Sequence, residues 1–556
     1  MPVPVIVLNF GHSVLNSLED YTQAASEIYR YYRQGNNVVA VTSAQGDQTD
    51  VLMAEARRIG PEGDAKNLPE LLQLGERRSA ALLALALERI GAPAFVRQAR
   101  DLGLTAKGSY TEARLTGLDT DQLWADLKAH DIVVMPGFVA IGEKDRAVLL
   151  GDGGADLTAL YVANQLGVEA VLLKDVNGIY DRDPKQAGPA AQRYSEISWD
   201  DATRVAGPLI APRALGFAKK EEVPFRVGTP GLPSYTRVGT ATGAMLPAPT
   251  PRKMRVAMMG AGVVGGGVFR RLAAHPKLFD LVKIMVRSPD KYIDQGYASD
   301  MLTTNFDDLL LAKPDIFIDV SGGIEPALSH TKAMLAKGVH VVSANKQAIS
   351  NGGQSLLDFA KEHGAQLRFS SAAGGGMPVL EMCIREAGRI TRVQALLNGT
   401  TNYMLDEMGK GKSYAEALKD AQDKGFAEAD PSGDVNGSDA AAKIRLIAML
   451  GFGEAITLDD IPRDTIENFE PNSPPKGAIK RIANMWRDRN GFSTALELKD
   501  LSRNNFLAQA DGEEAHAIFD FDDGDQYRIR GKGAGRWPTT ESVMADMFDI
   551  SATTLN

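Results

Sequence analysis

The chain has 556 residues, of which 44% are hydrophobic and 24% charged, a composition typical of globular proteins and a length that predicts roughly three or four domains. Its net charge of −10 argues against nucleic acid or an anionic membrane as the main partner. The single cysteine, Cys383, excludes an internal disulfide, and the seven scattered histidines, without a cysteine cluster, predict no metal site.

The N-terminal run PVPVIVLNF is typical of a β-strand. It is not the basic region followed by an apolar segment that marks a secretory signal, and no membrane-spanning segment is visible in the sequence. We therefore expect a cytoplasmic protein that binds neither nucleic acid nor membrane.

Both halves of the chain begin with a β-like run and a glycine turn, VIVLNFG in the first and MRVAMMGAG in the second. Short apolar runs then alternate with helical patterns, which predicts α/β domains with parallel sheets. Between the halves, Gly243–Lys253 reads GAMLPAPTPRK, and prolines alternating with small residues predict an extended, semi-rigid linker. After Gly352 the pattern is mixed, which predicts a separate α+β domain that holds the substrate.

These patterns predict five segments along the chain. The first α/β domain covers residues 1–242, and the proline-rich linker covers residues 243–253. The second α/β domain, with a Rossmann fold for NAD(P), covers residues 254–368, and the α+β domain covers residues 369–530. A C-terminal segment, residues 531–556, is predicted to return to the nucleotide-binding domain.

A glycine fingerprint follows the strand MRVAMM and precedes a predicted helix. Its first glycine, Gly260, permits a tight turn, Gly262 lets the backbone approach a pyrophosphate, and Gly265 permits close packing of helix on strand. The alternative is a glycine-rich turn that serves packing alone. The predicted cofactor-binding residues here and at the following strand ends are Gly260, Gly262, Val263, Val264, Gly265, Ser321, Gly322, Ser343 and Ala344.

The residue after the second strand of this domain predicts which dinucleotide is bound. An NAD site places Asp or Glu there to hold the ribose hydroxyls, but the strand LVKIMV is followed by Arg287. A guanidinium at that position favours the 2′-phosphate of NADP, so we predict NADP, with NAD as the alternative. The alternative interpretation is that Arg287 is a solvated arginine at a strand end with no role in cofactor binding.

The turn-rich segment that starts at Gly425 carries four carboxylates, Glu428, Asp430, Asp434 and Asp439. From Ser438 the pattern is helical, so Asp439 and Lys443, four residues apart, share one face of a helix. Carboxylates suit a substrate ammonium group, and a partly desolvated lysine can exchange a proton near neutral pH. The alternative, a surface salt bridge, is less favoured because the dinucleotide fingerprint lies upstream.

From Met254 to about Asp546 the chain resembles homoserine dehydrogenase. The resemblance rests on GAGVVGGGV, SANK, GGGMP, NGTTNYML, the segment Gly425–Lys443 and GKGAGRWPT, which occur in the family's order. It implies reduction of aspartate 4-semialdehyde to homoserine with NAD(P)H, on the shared route to threonine, methionine and isoleucine. It also leads us to expect a homo-oligomer.

The resemblance assigns roles to residues of this chain. The implied catalytic residues are Lys443, the acid/base lysine, with Asp439 and Lys346, and the implied substrate-binding residues are Glu428, Asp434, Asn398, Gly399, Thr400 and Gly425. Hydride transfer to an aldehyde builds alkoxide charge, which a nearby ammonium can stabilise and protonate. The family has a glutamate near a monovalent-cation site where this chain has Ser370, so the resemblance does not lead us to predict sodium or potassium binding.

Residues 1 to about 240 resemble the amino-acid kinase fold of aspartate kinase. The matching pieces are Gly75–Ser79, Pro136–Phe138, Asp175–Pro184 and Pro212–Ala214. The whole chain therefore resembles a fused aspartate kinase–homoserine dehydrogenase. It is shortened, because the segment between the halves has no room for the ACT modules that carry feedback control.

The kinase-like half departs from the family at its charged positions. Asn9 stands for the lysine of K-F-G-G-[ST]-S, Asp152 for the arginine of G-R-G-G-S-D, and Lys174 for a threonine. Because phosphoryl transfer depends on positioning and charge stabilisation, the changes at Asn9 and Asp152 predict a dehydrogenase with a non-catalytic kinase-like half, and Lys174 restores only part of the positive charge. The alternatives are a bifunctional enzyme that retains the kinase, a nucleotide-sensing scaffold and another NADP oxidoreductase. The kinase-like half itself is open to interpretation as a ligand-binding domain, an oligomerisation platform or a relic.

Overall fold

The computed structural model describes residues 3–59, 65–186, 189–247, 252–428, 430–467, 469 and 477–554. The chain divides into two compact units, one of residues 1–89 and 93–250 and the other of residues 90–92 and 251–556. Within the described part of the chain, none of the helices combines the length and the apolar character that crossing a membrane requires.

The first unit is an α/β domain. Its strands are β1 Val5–Phe10, β2 Asn37–Thr42, β3 Ala94–Val96, β4 Thr105–Lys107, β5 Arg114–Gly117, β6 Ile132–Pro136, β7 Val139–Ile141, β8 Ala147–Leu149, β9 Glu169–Leu173, β10 Gln192–Tyr194, β11 Glu196–Ser198, β12 Phe225–Gly228, β13 Tyr235–Gly239 and β14 Met245–Pro247. Its helices are α1 Asp20–Arg33, α2 Gln48–Ile59, α3 Leu68–Ile90, α4 Thr120–His130, α5 Gly154–Leu166, α6 Trp199–Val205 and α7 Pro212–Lys220.

The main sheet of the first unit has the order β11-β13-β12-β9-β1-β2-β6-β3, and the pairs around β1 are parallel. Every residue of β1 is buried, as expected for the continuous apolar run of a parallel strand covered on both faces. Because parallel strands end at the same sheet edge, the residues after β1 lie next to those after β9. This edge brings Gly11 close to Lys174.

The segment predicted as a linker is partly a strand of this unit. Within it, β14 pairs antiparallel with β10, with Tyr194 opposite Met245. Residues 248–251, which include two of the linker's prolines, lie outside the described residues.

The second unit begins with a parallel sheet of order β17-β16-β15-β18-β19-β20, which confirms the predicted Rossmann-type domain. Its strands are β15 Met254–Met259, β16 Phe279–Met285, β17 Leu302–Thr303, β18 Ile316–Asp319, β19 His340–Ser343 and β20 Leu367–Arg368. Its helices are α8 Val263–Ala273, α9 Asp290–Ile293, α10 Phe306–Leu311, α11 Ala327–Leu335 and α12 Lys346–Glu362.

An antiparallel sheet with helices follows, which confirms the predicted α+β domain. The helices are α13 Val379–Arg385, α14 Gly399–Gly409, α15 Tyr414–Asp423, α16 Ser432–Val435, α17 Ser438–Ile447 and, at the C-terminus, α18 Arg536–Thr554. The strands are β21 Ile390–Ala395, β22 Ala478–Asp488, β23 Gly491–Leu501, β24 Glu514–Phe521 and β25 Gln526–Lys532, in the order β23-β22-β21-β24-β25.

Helix α18 packs against α8 of the nucleotide-binding domain. A Cβ atom on Gly267 would lie 2.2 Å from Thr540 Oγ1, so glycine is what lets the two helices approach so closely. The buried pair of Arg271 and Glu541, 3.0 Å apart, joins the same helices. This packing holds α8, which begins at the glycine fingerprint, against α18.

Candidate active site

The glycine fingerprint forms a tight turn between β15 and α8. Gly260 has φ +99°, and a Cβ atom there would lie 2.9 Å from the carbonyl oxygen of Val320. A Cβ atom on Gly265 would lie 2.4 Å from the carbonyl oxygen of Gly260. Gly262 and Val263, by contrast, are exposed at the N-terminus of α8, with open space around Gly262. The backbone therefore fits the pyrophosphate of a dinucleotide, which binds at such a helix N-terminus.

Arg287 lies beside this turn. The backbone N–H of Gly260 donates to the carbonyl oxygen of Met285, the last residue of β16, at 3.0 Å, and Arg287 follows two residues later. Its side chain is exposed, and it makes no ion pair with any residue that the structure describes. Its guanidinium is therefore free to meet a ligand at this sheet edge.

Two loops of the nucleotide-binding domain are tied together by Asp319, which is fully buried at the end of β18. Its carboxylate accepts hydrogen bonds from Ser321 Oγ at 2.6 Å and Ser343 Oγ at 3.3 Å. Burial raises the pKa of Asp319, although these hydrogen bonds oppose the rise. Both serine hydroxyls thus link the loop after β18 to the loop after β19 through Asp319. Ser343 is itself fully buried and lies beneath the cleft rather than in its lining.

A cleft of about 550 Å³ in the second unit gathers most of the residues predicted from the sequence. The predicted residues in its lining are Ser321, Gly322, Ala344, Lys346, Asn398, Gly399, Thr400, Gly425, Glu428, Asp434, Asp439 and Lys443. The glycine fingerprint and Arg287 are not part of this lining.

Asp439 lies between two lysines. Lys443 Nζ is 3.0 Å from Asp439 Oδ2, which confirms the pairing predicted from the helical spacing, and Lys346 Nζ is 2.6 Å from Oδ1. Burial alone would raise the pKa of Asp439, but the charges of Lys443 and Lys346 outweigh it and hold that pKa well below its ordinary value. For Lys346 burial alone would lower the pKa, but the facing carboxylates, with Asp439 first, outweigh it and raise that pKa above its ordinary value. The carboxylate stays ionised at neutral pH and fixes both ammonium groups.

Lys443 is the more enclosed of the two lysines, because α17 places it at 7% exposure. Its ammonium also donates to the carbonyl oxygen of Leu397 at 2.5 Å. A lysine ammonium has three N–H donors, and Asp439 and Leu397 engage two of them. The side chain is therefore held in one position at the wall of the cleft.

Asn398 joins the two carboxylates nearest to Lys443. It caps α14 by accepting from the backbone N–H of Thr401 at 2.8 Å. Its Nδ2 donates to Asp434 Oδ1 at 2.6 Å and to Asp439 Oδ2 at 3.1 Å. The sequence placed Asn398 in the cleft but did not indicate that it links Asp434 to Asp439.

Further lining residues were missed by the sequence-based prediction: Gly323, Asn345, Gln347, Phe426, Gly433, Ser438, Ala442, Glu513, Ala534 and Gly535. Ala534 and Gly535 lie in the motif GKGAGRWPT, which was a signal for them. Glu513, which pairs with Lys532 at 2.6 Å, lies in no recognised motif. It reaches the cleft because the loop before β24 packs beside Gly399.

Ser370, at the place of the family's glutamate, is held by α18. Its backbone N–H and its hydroxyl both donate to the carboxylate of Asp546, at 3.0 and 2.7 Å. Among the residues that the structure describes, no group of three His, Cys, Asp or Glu side chains could hold a metal ion.

The first unit has its own cleft, of about 610 Å³, at the edge where β1, β2 and β9 end. Asp156 lies at its base and accepts from Asn9 Nδ2 at 2.5 Å and from Lys174 Nζ at 2.8 Å, and all three side chains are buried. Asp152 is exposed on the glycine loop that lines the same cleft. The ammonium of Lys174 is thus paired with a carboxylate inside the protein.

Glu76 also lines this cleft, and its Oε2 has no hydrogen-bond partner among the described residues. Burial raises the pKa of Glu76 from 4.5 to about 8. Between these two values the folded protein holds a proton that the unfolded chain has released, so stability falls as the pH rises through this window. We expect Glu76→Gln, which keeps the shape without the charge, to raise the free energy of unfolding by about 3 kcal/mol at pH 7 and by little near pH 4.5.

Denaturant unfolding of both proteins at pH 4.5, 6 and 7 measures this difference. Glu70→Gln, on the same helix but at an exposed position, is the matched control and should change stability equally at each pH. A gain for Glu76→Gln that does not grow with pH would contradict the neutral state of the buried carboxyl.

Three family models match the chain. The model described as homoserine dehydrogenase matches residues 378–548, and the model of its NAD binding domain matches residues 260–370. The model of the amino acid kinase family matches residues 4–227.

Relatives of known function match the same two parts. The homoserine dehydrogenase of Bacillus subtilis is 33% identical over 317 residues, which cover 54% of this chain and 73% of that protein. The homoserine dehydrogenase of Synechocystis is 32% identical, over 53% of this chain and 73% of that protein. An aspartokinase of Geobacillus stearothermophilus is 33% identical, over 40% of this chain and 56% of that protein.

A crystal structure of a homoserine dehydrogenase from Thiobacillus denitrificans superposes with a TM-score of 0.50 and 28% identity. The superposed region covers 54% of this chain and 74% of the Thiobacillus chain. The chain therefore belongs to the homoserine dehydrogenase family, with an amino acid kinase domain before its NAD-binding and dehydrogenase domains.

Proposed function

We propose that this protein interconverts L-homoserine and L-aspartate 4-semialdehyde with NADP(H), using the cleft around Asp439. One observation carries the proposal: Asp439 holds Lys346 and Lys443 in a cleft that also contains Glu428 and Asp434. The carboxylates suit the ammonium group of an amino acid, and the lysines suit a reacting oxygen at the other end of that molecule.

The carboxylates are proposed to bind the substrate's ammonium group. Glu428 is exposed at the rim, and Asp434 is half-buried and hydrogen-bonded to Asn398. Both carry negative charge toward the cleft, where an ammonium gains charge-assisted hydrogen bonds. Asp439 is engaged by two lysines, so its role is to orient them.

Lys443 is proposed to move the proton. When bound, the dinucleotide accepts the hydride from the carbon of homoserine or returns it to the aldehyde. In the oxidation Lys443 takes the proton of the substrate hydroxyl after its ammonium has released one proton to solvent, and in the reduction the Lys443 ammonium protonates the developing alkoxide. Lys346 is proposed to add positive charge near the same oxygen.

Arg287 is proposed to select NADP. If its guanidinium binds the 2′-phosphate, Arg287→Ala should raise KM for NADPH about tenfold or more and KM for NADH less than about twofold, because one charged hydrogen bond contributes ~1.5–3 kcal/mol. Steady-state kinetics with both cofactors on wild type and variant measure the effect and test the proposed reaction itself. Arg270→Ala, an exposed arginine later on α8, is the control. Equal changes for both cofactors would show that Arg287 does not meet the 2′-phosphate.

The first unit is proposed to lack aspartate kinase activity. Asn9 carries no charge, Lys174 is neutralised by Asp156, and Asp152 adds an exposed negative charge to the glycine loop. A polyphosphate would meet little positive charge in this cleft, although phosphoryl transfer requires it. The alternative is a bifunctional enzyme in which the kinase is retained.

A further inference from the structure

Two buried cations lie next to each other on β22, and they point to opposite faces of the sheet. Lys480 and Arg481 are 1% and 5% exposed, and successive residues of a strand alternate between faces. Lys480 Nζ pairs with Asp406 Oδ1 at 2.7 Å and donates to the carbonyl oxygen of Ala510 at 2.8 Å. Arg481 points instead toward α16, the short helix that carries Asp434.

Arg481 binds the C-terminal end of α16. Its Nη1 donates to the carbonyl oxygen of Val435 at 2.9 Å, and its Nη2 donates to the carbonyl oxygen of Asp434 and to Thr401 Oγ1, the latter at 2.7 Å. The hydroxyl of Thr401 in turn donates to the Asp434 carbonyl oxygen at 3.1 Å. The last carbonyl groups of a helix have no partner inside the helix. The guanidinium is one of their outside donors, together with Thr401 at the Asp434 carbonyl and the backbone N–H of Ile466 at the Val435 carbonyl, the latter at 3.0 Å.

The charge of Arg481 also faces the carboxylates of the cleft. Among the described residues it forms no direct ion pair, and its hydrogen bonds go to carbonyl and hydroxyl oxygens. Burial lowers the pKa of Arg481 to about 10, and Asp434, Asp439 and Asp464 oppose that fall. The guanidinium is therefore charged at neutral pH.

We propose that Arg481 is a positioning residue for substrate binding, which fixes the backbone of α16 so that the Asp434 carboxylate faces the cleft. The carboxylate itself is held by Asn398, which donates to Asp434 Oδ1 at 2.6 Å. Arg481 thus holds the backbone of Asp434, and Asn398 holds its side chain. The inference rests on the proposed role of Asp434 in binding the substrate ammonium.

The test compares Arg481→Lys with Lys480→Met in the full-length protein. A lysine is a point donor and cannot replace the planar fork that spans two carbonyl groups and a hydroxyl. We expect Arg481→Lys to raise KM for homoserine about tenfold, since a displaced Asp434 weakens the substrate's charged hydrogen bond, while KM for NADP changes less than about twofold. Lys480→Met should lower the melting temperature without raising KM for homoserine, because Asp406 lies outside the cleft lining.

Thr401→Val is a second variant that does not change the charge. It removes the hydroxyl between Arg481 and the Asp434 carbonyl oxygen, and it should raise KM for homoserine in the same direction. If Arg481→Lys does not fold, the rise of KM for homoserine relative to KM for NADP in Thr401→Val tests the positioning role instead.

The outcomes separate this inference from the function on which it rests. A wild-type protein that does not oxidise homoserine would overturn both. If wild type is active and Arg481→Lys keeps KM for homoserine within about twofold, only the positioning role is overturned. An equal rise of both KM values, or the same rise in Lys480→Met, would show a general loss of packing and would also overturn it.

Discussion

Lys443→Ala should lower kcat for homoserine oxidation by about 10²–10⁴-fold, the usual contribution of a group that transfers a proton in the rate-limiting step. Lys443 is fixed at the wall of the cleft by Asp439 and by the Leu397 carbonyl oxygen, and alanine removes the ammonium from that position. Lys346, the other lysine on Asp439, remains in the variant and is expected to preserve part of the positive charge.

The measurement pairs turnover with cofactor binding. NADPH titration followed by nucleotide fluorescence should give nearly the same affinity for wild type and Lys443→Ala, because the glycine fingerprint is not altered. Lys410→Ala, which removes an exposed lysine that pairs with Glu407, should leave kcat unchanged. A Lys443→Ala enzyme with more than about a tenth of wild-type kcat would rule out an essential proton transfer by this residue.

Purified protein should release no ADP above background when supplied with ATP, magnesium and aspartate. Asn9 and Asp152 stand where the resemblance to aspartate kinase implies two cations, and Lys174 is already paired with Asp156. Lys174 is the one lysine or arginine among the described residues that line this cleft, and Asp156 already pairs with it, so the transferring phosphoryl group gains little stabilisation. A coupled ADP assay measures this directly, with a homoserine oxidation assay on the same sample as proof of folded protein.

ADP formation that requires aspartate and disappears in Glu76→Ala would overturn the proposed loss of kinase activity. The complementary experiment restores the cations. In the structure a lysine at position 9 would meet Lys174, because both would face Asp156. Reversion therefore needs Asn9→Lys, Asp152→Arg and Lys174→Thr together. We expect this triple variant to form ADP faster than the double variant that carries only Asn9→Lys and Asp152→Arg.

Features that depend on neighbouring residues were predicted from the sequence alone. The glycine fingerprint was recognised because strand, turn and helix follow one another, and the turn at Gly260 has the positive φ that glycine adopts readily. The pair of Asp439 and Lys443 was predicted from the helical spacing of four residues, which fixes their distance before any packing occurs. Parallel sheets in both halves followed from the alternation of apolar strands and helices.

Features that depend on packing between distant segments were decided by the tertiary structure. Lys346, Asn398 and Asp439 meet because α12, α14 and α17 converge on one cleft, and no local spacing encodes that convergence. The serine hydroxyl of Ser343 turned inward to the buried Asp319, which strand-end position alone could not indicate. Arg481 had no signal at all in the sequence. A cation in a strand faces either side equally well until the sheet packs, and here packing placed it against the carbonyl groups beneath Asp434.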